Sequence, residues 1–196
     1  MTRDFGFAPN PFWGICTLAN CKPKIRRSAQ IGDWIIGTGA ITCGLEKRLI
    51  YLMEVNEIIL FEEYWNNPKY ISKKPLLNGS LVQIHGDNIY SKHSENDWKQ
   101  LNSHHSFYNG KVNSRNLKTD IGGKFVLLSH NFYYFGENHI QIPNEYEEIC
   151  CNNRDFIKIK NVLIANSFVE WVSKTYSNGV LGDPLDWKAY HQFSLW

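Results

Sequence analysis

Apolar positions in WGICTL, Trp13 to Leu18, lie between the breaker-rich APNP and a stretch with Asn20 and Pro23, a pattern that predicts a first strand. Trp34 to Gly37 follows the turn-like Ile31-Gly32-Asp33 and predicts a second. In RLIYLMEVNEIIL, Arg48 to Leu60, the alternation breaks near Val55, which predicts one long strand with a bulge. Phe61 to Trp65 predicts one or two helical turns, ended by Asn66-Asn67-Pro68. Leu81 to Ile84 and Ile89-Tyr90 flank a turn-like His85-Gly86-Asp87-Asn88. The polar stretch from Ser91 to Asn116 predicts the longest loop. Phe125 to Leu128 and Asn131 to Phe135 are strand-like. Near the end, Ser167 with Glu170 forms a capping-box pattern, Phe168, Val169, Val172 and Tyr176 share a face, and Gly179 suits a C-terminal cap. Several strands with few helices predict an α+β fold: one domain over residues 1–196, on a mostly antiparallel curved sheet or partial barrel, with short helices and a C-terminal helix.

Composition narrows the class. Hydrophobic residues at 43% and charged residues at 20% exclude a disordered chain. The longest apolar runs fall far short of the roughly 18 residues that span a bilayer, and MTRDFG carries no signal-peptide core, so a cytoplasmic protein without a membrane partner is expected. Five cysteines, including the adjacent Cys150-Cys151, fit reduced thiols. A net charge of +2 does not by itself indicate nucleic-acid binding. Local distribution says more, because Lys22, Lys24, Arg26 and Arg27 fall together and aromatics reach 14%. That combination favours a ligand with flat rings and negative charge.

Each motif has a functional and a structural interpretation. Cys16 and Cys21 have no second pair at a zinc-ribbon spacing, so neither a metal nor a cofactor is expected. Cys16 in an apolar strand fits a buried small hydrophobe, while Cys16 or Cys21 beside Lys22, Lys24 and Arg26 also fits an activated thiol. The basic cluster fits a phosphate contact or a solvated turn, with Pro23 stiffening either. Gly37-Thr38-Gly39 lacks the trailing residues of a P-loop. Of His104-His105, which point to opposite sides on an extended chain, one fits a general acid or base or a donor to a ligand; the alternative is a hydrated loop pair. Asp87, Asn88 and Tyr90 offer an acceptor, an amide and a ring, suited to a nucleobase or to a hairpin turn.

The segments APNPFWGICTLANCKPKIRRSAQIGDWIIGTG, RLIYLMEVNEIILFEEYWNNPKYISKKP, GDNIY, SHHS and VLLSHNFYYFG occur in an order that resembles the second of the nucleotide-modification-associated domain families, over about Arg3 to Pro143. The resemblance implies a link with systems that make or handle modified bases in the DNA of bacteria and phages. A strand, a basic turn, Gly-Asp-Trp-Ile-Ile and a long strand also resemble PUA-like domains of the EVE and ASCH kind, whose barrel mouth accepts a modified or flipped base. The expected partner is therefore a nucleic acid or nucleotide carrying a modified base. In this expectation Lys22, Lys24, Arg26 and Arg27 hold phosphate, Trp13, Trp34 and Tyr90 stack on the base, and Asp87, Asn88 and His104 read its edge. The alternative is an enzyme on a modified nucleotide, with Cys16 as nucleophile or His104 as acid/base and Asp87 as orienting carboxylate. A protein-binding module is a third class. Residues 144–196, including GDPLDW, carry no role in either resemblance.

Overall fold

The computed structural model describes residues 1, 3–94, 97–150 and 156–188. In chain order the elements are β1 (Cys16–Leu18), α1 (Pro23–Ser28), β2 (Trp34–Thr38), β3 (Arg48–Glu54), β4 (Glu57–Leu60), α2 (Phe61–Asn66), α3 (Leu81–Ile84), β5 (Tyr90–Ser94), β6 (Asp97–Gln100), α4 (Ser114–Ile121), β7 (Phe125–Ser129), β8 (Phe132–Tyr134), β9 (Ile140–Gln141), α5 (Val162–Thr175) and β10 (Gly179–Val180). This is a mixed α+β fold with several antiparallel sheets, and among the described residues no sheet closes into a barrel. The chain divides into two compact units: residues 1–4, 34–53 and 131–196, and residues 5–33 and 54–130. No helix among the described residues is long and apolar enough to cross a membrane.

The unit of residues 5–33 and 54–130 is organised by β7, which lies between β1 and β4 and is antiparallel to both. Val126, Leu127, Leu128 and Ser129 are all buried, as expected for the middle strand of a sheet covered on both faces. Phe7, Ile15, Phe61, Tyr64, Tyr70, Tyr90, Val126 and Leu128 form its core. The polar stretch expected as a loop, Ser91 to Asn116, holds most of the antiparallel pair β5–β6, in register Tyr90↔Gln100, and the first residues of α4, whose start is capped by Asn113 accepting from Asn116 N. Leu81 to Ile84 forms a helical turn, fixed where Ser80 N donates to Gln83 Oε1 at 2.9 Å. The expected basic turn is the short helix α1, with Pro23 at its start, where a missing N–H costs nothing.

In the unit of residues 1–4, 34–53 and 131–196 the sheet order is β10-β8-β3-β2, with β9 also on β3. β3 is buried from Leu49 to Met53 and pairs antiparallel with β8. The run expected as one strand from Arg48 to Leu60 is thus two strands, β3 and β4, in different sheets. Gly37 lies against Tyr51, where an added Cβ would come within 1.9 Å of the ring. α5 buries Phe168 and Val172 against Leu49, Leu52, Tyr133 and Phe135. It begins at Asn161, whose side chain accepts from Ile164 N, so Ser167 lies inside the helix with its Oγ 3.1 Å from Tyr146 Oη. Gly179 opens β10 at φ +118°, parallel to β8. GDPLDW fastens the N-terminal segment: Asp4 N donates to Asp186 Oδ2 at 2.6 Å, Asp186 N donates to Asp4 O at 2.9 Å, and Trp187 is buried.

Candidate functional site

β1 and the chain beyond it carry Asn20 and Cys21 directly into α1. Two consecutive non-glycine residues there are left-handed, Cys21 at φ 57° and Lys22 at φ 41°, ψ 47°. Side chains disfavour that region by about 1 kcal/mol or more each, so the surrounding contacts must hold the turn. They do. Cys21 N donates to Asp120 Oδ1 at 2.7 Å, and Arg26 Nε donates to Cys21 O at 2.9 Å. The cysteine side chain is thereby presented at a sharp strand-to-helix bend.

His105 stands at Cys21, with its Nε2 3.5 Å from Sγ. On the other side of the ring, Nδ1 donates to Asp120 Oδ2 at 2.6 Å. Asp120, at the end of α4, is fully buried, and its Oδ2 also accepts from Tyr90 Oη at 2.7 Å. The loop that carries His105 is pinned by its carbonyl, which accepts from Gln100 Nε2 at 3.1 Å and Asn116 Nδ2 at 3.0 Å. Sγ, Nε2, Nδ1 and Oδ2 thus form a relay of thiol, imidazole and buried carboxylate, each member oriented by the next.

Electrostatics reinforce the order. Burial disfavours the imidazolium, but hydrogen bonds to Asp120 and Cys21 outweigh it and push His105 up to about 9. Burial and the Asp120 carboxylate raise Tyr90, which keeps its proton and donates it to Asp120. Behind the relay, burial brings Arg26 down to about 10 against the pull of Asp120, so it stays charged at neutral pH. The raised His105 value has a stability consequence. Folding favours the charged ring, so the stabilisation is complete below the ordinary 6.5 and fades as pH rises through about 9. Denaturant titrations should show the protein losing about 2–3 kcal/mol between those limits relative to His105→Gln, which lacks the slope.

Cys21, His105 and Asp120 each offer a ligand atom, all within 4.8 Å of one another. With Asp120 engaged on Nδ1, a metal would be left Sγ and Nε2 with an outer carboxylate, two ligands short of a tetrahedral site. The arrangement is better matched to moving a proton between Sγ and Nε2.

The residues expected from sequence take several different roles in the structure. Lys22, Lys24 and Arg27 are exposed on or beside α1. Arg26 is not available to phosphate: it is fully buried, with Nε, Nη1 and Nη2 donating to the carbonyls of Cys21, Phe125 and Asp120. Gly123 makes room for it, since a Cβ there would meet the guanidinium at 2.3 Å. Tyr90 is buried beside Phe61 and does not present a stacking face. Asp87 and Asn88 are core residues too. Asp87 accepts from Thr17 Oγ1 at 2.6 Å and Tyr64 Oη at 2.7 Å, and Asn88 Nδ2 donates to Tyr64 O. Burial pushes Asp87 up to about 6 and brings Lys73 down to about 8, each opposed by the other's charge. Lys73, which the sequence did not single out, donates to Asn10 O, Asn10 Oδ1 and Ile15 O. Cys16 is buried in β1, opposite Ser129. His104 is exposed, with its ring 4.5 Å from that of Phe5. Trp13 is half exposed, and Trp34 packs against the core of the unit that contains β3. Cys150 is half-buried, while Cys151 lies outside the described residues.

The family model described as nucleotide modification associated domain 2 matches residues 1–191. The chain belongs to this family. No curated protein and no solved structure showed significant similarity to it. The match connects this nucleotide modification associated domain with nucleotide-modification systems and extends the resemblance through α5 and GDPLDW. Within the domain, the relay residues Cys21, His105 and Asp120 all fall in the matched span.

Proposed function

We propose that the protein is a thiol-dependent enzyme of a nucleotide-modification system, with Cys21 as nucleophile, His105 as the proton carrier and Asp120 as the residue that orients the ring. The observation that carries this is the continuous Sγ–Nε2, Nδ1–Oδ2 relay, ending in a fully buried carboxylate. Such a relay suits acyl transfer, because one imidazole must first hold and then return a proton. With the Cys21 proton on Nε2, Sγ attacks the carbonyl carbon of an acyl group attached to the nucleotide. The C–S bond forms, the bond to the leaving amine or alcohol breaks, and the leaving group takes the proton from Nε2. Water then gives a proton to Nε2 and attacks the thioester; the C–S bond breaks, the acid departs and Sγ regains the proton. Recognition of the modified base precedes this step, and the exposure of Lys22, Lys24 and Arg27 on or beside the helix that follows Cys21 supports a phosphate contact from them.

The test is nucleoside mass spectrometry of DNA bearing acyl-substituted bases after incubation with the protein. Loss of the acyl mass with the native chain, and its retention with Cys21→Ala and His105→Ala, is the expected result. Enrichment of an intact modified nucleoside with the bound protein, with no change of mass, would instead make the domain a reader. A mass change that persists in Cys21→Ala would overturn the nucleophile.

A further inference from the structure

Charge is segregated along this chain. Residues 16–32 and 101–124 hold eight Lys and Arg against one acid, Asp120, whereas the whole chain is only +2. Asp120 is buried, and of the eight cations only Arg26 is buried with it. The fold joins the two segments: α1 packs on α4, Cys21 N donates to Asp120, and Arg27 Nη1 donates to Gly122 O at 3.2 Å. Lys22, Lys24 and Arg27 therefore share one region with Arg115 and Lys118, which lie three apart on α4. The nucleophile's turn leads into one of these helices and the other carries the orienting carboxylate, so the positive charge lies on the elements that build the relay.

The loop that joins β6 to α4 adds flat rings. Phe107 is 53% exposed and Tyr108 fully so, beside the exposed His104. The loop is held by its own bonds: Ser103 N donates to Ser106 Oγ, Phe107 N to Lys111 O and Gly110 N to Phe107 O. Aromatic rings displayed on a fastened loop that leads into one of the two cation-bearing helices match a chain of phosphates with unstacked bases. A nucleoside monophosphate offers one phosphate group and uses little of this surface.

We propose that the substrate of the Cys21 site is a single-stranded polynucleotide, its phosphates along the α1–α4 cations and a base on the Phe107–Tyr108 loop. This deepens the proposed function and rests on it for the position of the reacting group, though binding itself is measured without chemistry. The experiment uses the full chain with Cys21→Ser and a fluorescent 12-nucleotide single strand, its affinity followed by anisotropy from about 50 to 200 mM salt. Three to five neutralised phosphates give a log–log slope of about −2 to −3.5, and the single strand should compete at least tenfold better than a nucleoside monophosphate. Lys24→Glu with Arg115→Glu and Lys118→Glu should flatten the slope by about 2, while Lys158→Glu with Lys160→Glu leaves it unchanged. Equal competition by the monophosphate, an unchanged slope in the triple variant, tighter binding of a duplex, or equal binding to anionic lipid vesicles would each overturn the proposal. Strand binding by a chain whose Cys21 proves catalytically idle would leave the strand-binding surface standing and remove the acyl-transfer reading.

Discussion

Asp120→Asn is expected to lower turnover by about 10³- to 10⁴-fold, more than any other single exchange outside Cys21 and His105. The reason is a count of donors. Cys21 N donates to one carboxylate oxygen, and both His105 Nδ1 and Tyr90 Oη donate to the other. An asparagine has one acceptor oxygen and one amide that only donates, so in either orientation a donor faces a donor. If the amide faces the ring, His105 must move its proton from Nδ1 to Nε2. A protonated neutral Nε2 then faces Sγ and can no longer take its proton. If the amide faces Cys21 N, the left-handed turn at Cys21 loses the bond that holds it. Nitrogen chemical shifts of the imidazole distinguish the two, and the nucleoside assay gives the turnover. A variant with native turnover would remove Asp120 from the mechanism.

Arg26→Ala is expected to destabilise the fold by about 3–5 kcal/mol. Its guanidinium spans three main-chain carbonyls, at 2.9, 2.9 and 2.6 Å, and truncation leaves all three without that donor in the interior. Two of those carbonyls belong to Cys21 and Asp120, so the same side chain ties the nucleophile's turn to the end of α4. Lysine cannot replace it, because an ammonium lacks the flat fork that reaches three acceptors at once. Arg26→Lys should recover less than half of the loss. Arg27→Ala, next in sequence but exposed with one longer bond to Gly122 O, should change stability by no more than about 0.5 kcal/mol. Denaturant midpoints measure all three. Equal effects of Arg26→Ala and Arg27→Ala would show that the buried clamp contributes nothing.

The strands were legible where apolar residues stand together between breakers. Trp34 to Gly37, Phe125 to Leu128 and the body of β3 lie where the pattern put them, because burial in a sheet interior selects that composition directly. The split of Arg48 to Leu60 into β3 and β4 was not legible, since a change of sheet and a bulge both appear as one break in alternation. The β5–β6 pair and α4 were hidden for a different reason. Solvent-facing polar residues such as His93, Lys99 and Lys118 mask a weak apolar period.

For the site, sequence pointed to a cysteine near the basic cluster and to one of two histidines, and favoured Cys16 and His104. An apolar strand marks Cys16 as a residue of the core, not of a reacting surface, and the structure buries it there. Nothing local separates His104 from His105; only Asp120, fifteen residues on, selects between them. Asp120 was not singled out by the sequence, which marked no helix around it. Its role comes from burial beside Tyr90 and Arg26, which no spacing rule conveys. Arg26, counted with the surface cations, was indistinguishable from Arg27 until the helix turned one inward and the other out.

The most direct measurement is the rate of iodoacetamide labelling at each cysteine, resolved by peptide mass spectrometry at neutral pH. Cys43 is exposed, Cys21 is half-buried and Cys16 is enclosed in β1, so access alone would rank Cys43 first. A thiol paired with His105 should instead label about tenfold faster at Cys21 than at Cys43, lose that lead in His105→Ala and Asp120→Asn, and leave Cys16 untouched. Labelling that simply follows exposure, with Cys43 fastest and Cys21 indifferent to His105, would contradict the relay.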